Sequence, residues 1–317
     1  MCAYLVCSFY LLTPIHHPQE EVKRWQAFFF SSDIRGRIYL SKDGVNAQVS
    51  LPEQEGKNLS RWLWSDPRFA SVDIKTQRCS THAFPRMTVK HRDLVALGEE
   101  VDLSDRGESL PAQLWKDRLA SRDAHTLVLD VRNDYEWEVG HFEGAMRPDC
   151  KTFKDFPRMA RRLKEEYSPQ STQLLIYCTG GIRCEWYAPL LRREGFEHIY
   201  RLEGGLLRYG SEVGTAYWQG KVFVFDDRLV VPICEEKETE VIGKCCHCGK
   251  ATENCYNCTN MSCNRLFLSC LRCSTHLGGC CSQHCCSAPR KREFVPTEHP
   301  KPFRRLSQEE RGRLISK

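Results

Sequence analysis

The sequence predicts an α+β N-terminal part, an α/β central part with a parallel sheet, and a small C-terminal module that folds around metal. Three observations carry this expectation. Strand-like and helix-like stretches follow the order βαββαβ over residues 1–100. Two continuous apolar runs, Leu127-Val128-Leu129-Asp130 and Leu174-Leu175-Ile176-Tyr177, read as central parallel strands, which are buried on both faces. Twelve of the 19 cysteines crowd between Cys245 and Cys286. At 317 residues and 41% hydrophobic content, the chain can build the cores of two or three domains.

Residues 3–12 are apolar, but no basic residue precedes them and no small-residue cleavage pattern follows before Pro14. They read as a first strand and not as a leader. No stretch reaches the roughly 20 apolar residues that a membrane span needs. Residues 18–31 read as a helix with acidic residues early and Val22, Trp25, Phe28 and Phe29 on one face. Strands at 37–40 and 45–50 flank Ser41-Lys42-Asp43-Gly44, a hairpin turn signal. A helix at 52–65 and a strand at 71–77 complete the order of a ferredoxin-like fold. Residues 84–97 read as an extended connector.

An acidic stretch at 99–105 and a turn-like 106–109 mark a boundary. The expected parts are therefore a first domain at 1–100, a linker at 101–117 and a central domain at 118–221. A connector at 222–242, a cysteine module at 243–287 and a basic tail at 288–317 follow. Within the central domain, 152–167 reads as a basic helix and His198-Ile199-Tyr200 as a third strand. The net charge of +5 is concentrated in the tail, which carries Arg290, Lys291, Arg292, Lys301, Arg304, Arg305, Arg311, Arg313 and Lys317. Such a tail suits nucleic-acid phosphates and equally suits plain solvation.

The residues with the clearest chemistry begin where the second apolar run ends. Cys178 is followed by Thr179-Gly180-Gly181 and then by a helix starting near Ile182 and Arg183. Two glycines let the backbone curl so that successive N–H groups converge on one centre. The helix turns its positive end to the same point. A cysteine there has a depressed pKa and is the reactive thiolate. Arg183 is expected on the rim as a permanent cation. The loop from Thr179 to Cys184 thus forms a cradle for a sulfur anion or an oxyanion, and the chain reads as an enzyme. Cys184 either resolves an oxidised Cys178 or packs inward.

The cysteine module holds serial pairs of metal-ligand type. Reduced thiolates on metal are favoured over disulfides in a large chain without a secretion signal, which points to the cytoplasm and to no disulfide-linked partner. Two structural zincs are expected, one on Cys245, Cys248, Cys270 and Cys273, the other on Cys258, Cys263, Cys281 and Cys285. Spacing leaves Cys255 competing with Cys258, Cys280 with Cys281, and Cys286 with Cys285. His247, His276 and His284 remain possible substitutes. So few apolar residues lie in this segment that metal binding and folding are one event.

Leu129-Asp130-Val131-Arg132, Glu136, Gly140-His141-Phe142-Glu143-Gly144-Ala145 and the closing Leu202-Glu203-Gly204-Gly205 resemble the signatures of rhodanese sulfurtransferase domains. Cys178 then stands where such domains carry a persulfide, while Asp130 and Arg132 read as braces. Cys178-Thr179-Gly180-Gly181-Ile182-Arg183-Cys184-Glu185, with Lys42-Asp43-Gly44-Val45-Asn46 in the first domain, further resembles the tRNA uridine hydroxylase family TrhO. The resemblance implies an acylphosphatase-like first domain and a rhodanese second one. It also implies oxygen-dependent hydroxylation of the wobble uridine in tRNA to 5-hydroxyuridine, dependent on Cys178. Molecular oxygen would be the co-substrate and the anticodon region of tRNA the partner. No flavin, haem or iron motif is visible, so no organic cofactor is expected. The candidate tRNA contacts are the tail and the helix bearing Lys151, Lys154, Arg158, Arg161, Arg162 and Lys164. Trp186 and Tyr187 are candidates for stacking on a base. The alternative activity is transfer of a Cys178 persulfide sulfur to a thiol or tRNA acceptor.

Overall fold

A computed structural model describes residues 3–237 and 239–303. They fall into two compact units: Val224–Val230 with the chain from Val241 onward, and the remainder.

The first unit begins with β1 (Tyr4–Leu12), α1 (Pro18–Phe30), β2 (Arg35–Ser41), β3 (Gly44–Pro52), α2 (Gly56–Trp64), β4 (Lys75–Cys79) and β5 (Met87–His91). The strands form one sheet in the order β4-β1-β3-β2-β5. The first four are antiparallel in the ferredoxin-like arrangement, and β5 adds a parallel edge beside β2. The strand pleat sends alternate residues to opposite faces. Cys7 and Phe9 of β1 and Val45, Ala47, Val49 and Leu51 of β3 therefore share one core with Trp25, Phe29, Leu59 and Leu63 of the two helices. The residues between them face the other way, and no helix of this domain covers them. The stretch expected to be a connector thus contributes a strand: Val89 of β5 is buried in the same core.

The central fold runs β6 (Glu108–Leu110), α3 (Ala112–Ala120), β7 (Thr126–Asp130), α4 (Asp134–Val139), β8 (Gly140–Phe142), α5 (Phe156–Glu166), β9 (Gln173–Tyr177), α6 (Ile182–Arg193), β10 (His198–Leu202) and α7 (Gly205–Glu212). Its four-stranded sheet has the order β6-β10-β9-β7, with all pairs parallel. The segment read as a linker therefore already holds β6 and the start of α3. Leu129, Leu174 and Ile176 pack against Phe156, Met159 and Leu163 of α5 and Leu190 and Leu191 of α6. Around the other face Trp115, Phe142, Tyr177, Tyr209 and Trp218 form an edge-to-face aromatic cluster. At the end of β7 the buried Arg132 guanidinium donates to Asp130 (Nε–Oδ1, 2.8 Å) and to the carbonyl of Gly140 (2.6 Å). Tyr177 also donates its hydroxyl to Asp130 (2.7 Å), so this pair braces the sheet beneath the site.

The second unit is built on a short antiparallel pair, Cys255–Asn257 with Leu266–Leu268, and two short helices, Leu271–His276 and Gln283–Cys286. Tyr256, Cys258, Phe267, Cys280 and Cys285 are its small core. The stretch expected as a basic tail, for nucleic-acid phosphates or for plain solvation, folds back onto it as far as it is described. Lys291 bridges to Asn260, and Arg292 donates to the side chain of Asn264 at 2.7 Å while lying 3.5 Å over the Phe303 ring. The remaining basic residues, Arg304, Arg305, Arg311, Arg313 and Lys317, lie outside the described residues. No helix among the described residues is long and apolar enough to cross a membrane.

Candidate active site and metal centres

Cys178 follows β9 directly and is fully buried. Gly181 turns the chain with φ +98° and serves as the N-cap of α6, and its N–H donates to Cys178 Sγ at 3.1 Å. Only this glycine is demanded by sterics. A Cβ at Gly181 would lie 3.0 Å from the Tyr10 hydroxyl, whereas one at Gly180 would meet nothing. The loop is held from behind by the start of α7. Leu206 N–H donates to the carbonyl of Cys178 (3.0 Å) and Leu207 N–H to that of Thr179 (3.1 Å). These bonds turn the loop carbonyls outward and leave its N–H groups facing the sulfur. Gly205 makes this possible: its φ is +66°, and a Cβ there would sit 2.5 Å from the Cys178 carbonyl and 2.7 Å from Gly181 N. Sequence reasoning missed this role, although the paired glycines at 204 and 205 were its signal.

Burial raises the Cys178 pKa, but the Cys184 thiol, the Arg183 charge and the N–H groups of Cys184 and Arg183 more than offset it, bringing it to about 6. The sulfur is thus mostly thiolate at neutral pH. Cys184 is buried too, and burial together with the neighbouring Cys178 pushes its own pKa well up. It therefore stays a thiol and donates toward its neighbour.

Arg183 does not project from the rim. Its guanidinium makes a two-pronged pair with Glu136, at 2.7 and 2.9 Å, and also donates to Thr179 Oγ1 at 3.2 Å. Glu136 is fully buried and also accepts the N–H of Asn133 at 3.1 Å, closing a capping box at the start of α4. The arginine's charge is therefore largely neutralised. Burial works against its ionised form, but Glu136 outweighs that and keeps its pKa above the usual value.

Behind the loop Glu185, nearly buried, accepts from Tyr10 Oη at 2.9 Å and Arg106 Nη1 at 3.0 Å and forms an ion pair with Arg201 Nη1 at 2.7 Å. Trp186 and Tyr187 lie in the central core, so neither is free to stack on a base. Lys151 and Lys154 just before α5 and Arg158, Arg161, Arg162 and Lys164 on it are all exposed. Arg162 pairs with Glu166 (3.3 Å) and Lys164 with Glu194 (3.3 Å).

In the second unit the sulfurs gather as two groups: Cys245, Cys248, Cys270 and Cys273, and Cys258, Cys263, Cys281 and Cys285. Within each group all sulfurs lie within 4.8 Å of one another. Four sulfurs about 2.3 Å from a tetrahedral zinc stand about 3.8 Å apart. The observed separations include 3.8 Å for Cys248–Cys270, 3.7 Å for Cys263–Cys281 and 3.8 Å for Cys281–Cys285. Cys281 N–H and the Asn260 amide each donate to a sulfur of the second group, as thiolate ligands require. Each group can hold a metal ion, and the competing Cys255, Cys280 and Cys286 and the three histidines stand outside both.

Comparison with known proteins follows the same divisions. Residues 4–95 match the UPF0176 acylphosphatase like domain, 111–212 the rhodanese-like domain, and 219–286 the rhodanase C-terminal region. Relatives similar to this chain over most of its length carry the name tRNA uridine(34) hydroxylase. That of Chlamydia caviae is 45% identical over 306 residues, covering 96% of this chain and 92% of the relative. The Protochlamydia amoebophila protein is 43% identical over 316 residues, covering 99% and 98%.

Proposed function

Because this chain belongs to the tRNA uridine(34) hydroxylase family, we propose that it hydroxylates carbon 5 of the wobble uridine in tRNA, with molecular oxygen as co-substrate and Cys178 as the residue on which the reaction depends. The observation that carries this reading is the Cys178 cradle: a sulfur with a pKa of about 6, facing loop N–H groups, in a chain this similar to named hydroxylases. The relatives' name is what ranks hydroxylation ahead of plain sulfur transfer, since the cradle serves either chemistry.

The residues divide the labour as follows. Cys178 provides the nucleophilic sulfur. Gly181 N–H and the start of α6 stabilise negative charge on it or on an atom bound to it. Arg183, fixed by Glu136 and Thr179, holds the loop closed and contributes its residual positive field. Cys184 donates from beneath. The exposed cations of α5 lie on the side of the central sheet that packs α6, and they suit the phosphates of an anticodon arm. The two sulfur groups would hold structural zinc, which fixes the fold of the second unit and takes no part in the reaction. The cytoplasm, where tRNA is modified and thiols stay reduced, is the fitting location.

The test is to incubate the purified protein with tRNA lacking the modification and an added two-electron donor (a dithiol or a reduced nicotinamide) under isotopically heavy oxygen, one atom entering the uridine and the other leaving as water, then to digest the tRNA and weigh its nucleosides. One heavy oxygen atom in the uridine at position 34 is the expected result. Hydroxylation with only light oxygen would refute molecular oxygen as the source, and sulfur in place of oxygen would establish the transferase.

A further inference from the structure

We propose that the N-terminal domain forms a wall of the active site, and that Lys75 of β4 is the cation that faces the Cys178 sulfur there, next to the Tyr10 hydroxyl of β1. The inference rests on Cys178 being the reactive sulfur of the proposed hydroxylase.

The pleat dictates the placement. Lys75 pairs with Ser8 across the β1–β4 ladder, and Tyr10 is two residues further along β1, so Lys75, Ser8 and Tyr10 share one face. That face is the one the helices of the domain leave bare, because Cys7 and Phe9 on the opposite face fill the helix-covered core. Leu12, again on the bare face, packs against the central domain's core, which includes Cys178. The polar face of the first sheet is thus laid over the cradle.

Two contacts hold it there. Tyr10 donates to Glu185 at 2.9 Å, and its oxygen is 3.0 Å from where a Gly181 Cβ would stand. Asp73, next to β4, pairs with Arg208 of α7 at 2.5 Å. Lys75 lies between these anchors, its side chain only 10% exposed, with Nζ 3.1 Å from Asp73 and 5.4 Å from the centre of the Tyr10 ring. Burial, and Arg208 beside it, hold the lysine pKa below its usual value, which Asp73 and then the Cys178 thiolate only partly offset.

Arg183 is committed to Glu136, so the loop's own arginine offers a weakened field. The charged and titratable groups around the sulfur and its lysine are then Arg183 and Cys184 from α6, Tyr10 from β1, Lys75 from β4 and Arg208 from α7, which shares Asp73 with Lys75. Glu136 backs Arg183, Glu185 and Arg201 back Tyr10, and Asp73 backs Lys75. Among these, Lys75 is the cation that the first sheet contributes.

The experiment follows alkylation of Cys178 by iodoacetamide against pH, read on the Cys178 peptide by mass spectrometry. It is run on the intact zinc-loaded protein and on Lys75→Met, Lys75→Gln and Lys75→Arg. The native protein is expected to show a midpoint near 6. Removing the charge is expected to raise the midpoint by about half a unit, which cuts alkylation at pH 6 about twofold. Lys75→Arg is expected to restore the native midpoint. Folded Met and Gln variants with the native midpoint would overturn the role of Lys75, since a merely structural lysine would leave the thiol's titration alone. A native midpoint near that of an ordinary thiol would instead overturn the Cys178 reading itself, so the two failures are distinguishable.

Discussion

Cys178 and Arg183 show how far single residues can be read before their neighbours are known. The thiolate followed from a strand end, a glycine turn and a helix start, all contiguous in sequence. The pairing of Arg183 with Glu136 did not, because the partner is 47 residues away and its carboxylate arrives through the capping box of a different helix. Two predictions belong at this scale. The Cys178 pKa is lowered, so the thiolate prevails above about pH 6 and is lost as pH falls through that value. Formation of 5-hydroxyuridine in single turnovers should therefore decline below about pH 6, and a rate flat down to pH 5 would contradict a thiolate-dependent step. Glu136→Ala would strand the nearly buried Arg183 charge, and the loss of stability should be about 3 kcal/mol by urea denaturation. A loss below about 1 kcal/mol would mean that the pair is not what holds the loop.

At the scale of elements, long periodic stretches were legible and short edge strands were not. Helices α1 and α5 and strands β1, β7 and β9 carry strong apolar patterns, and the metal pairs stand out by spacing. Strand β5, Met87–His91, was missed because an edge strand alternates polar residues and only Val89 is buried. Strand β6 has three residues, too few for any period. Gly205→Ala tests the α7 brace on the cradle. A methyl 2.5 Å from the Cys178 carbonyl must displace the loop, so at least a hundredfold loss of activity is expected, together with about 1–3 kcal/mol of stability. Native activity in that variant would show that the loop does not depend on the close approach of α7. The cysteine module should contain two zincs per chain by metal analysis. A strong chelator should render it sensitive to protease, since its core of Tyr256, Cys258, Phe267, Cys280 and Cys285 is too small to fold unaided. Resistance after complete metal removal would contradict that dependence.

For the whole molecule, the sequence marked three consecutive parts but not that the first belongs to the same compact unit as Cys178. Tyr10 and Glu185 are 175 residues apart, and nothing in a strand pattern says which domain its bare face will meet. That meeting gives the N-terminal domain a direct place at the proposed site of chemistry. The central claim is that this chain hydroxylates the wobble uridine of tRNA through Cys178. The most direct measurement deletes the gene in cells without another route to the modification, restores it as the native or the Cys178→Ser form, and weighs the nucleosides of digested tRNA. Native protein should restore 5-hydroxyuridine and its derivatives at position 34 while Cys178→Ser, present at equal abundance, restores none; full restoration by Cys178→Ser would contradict the claim.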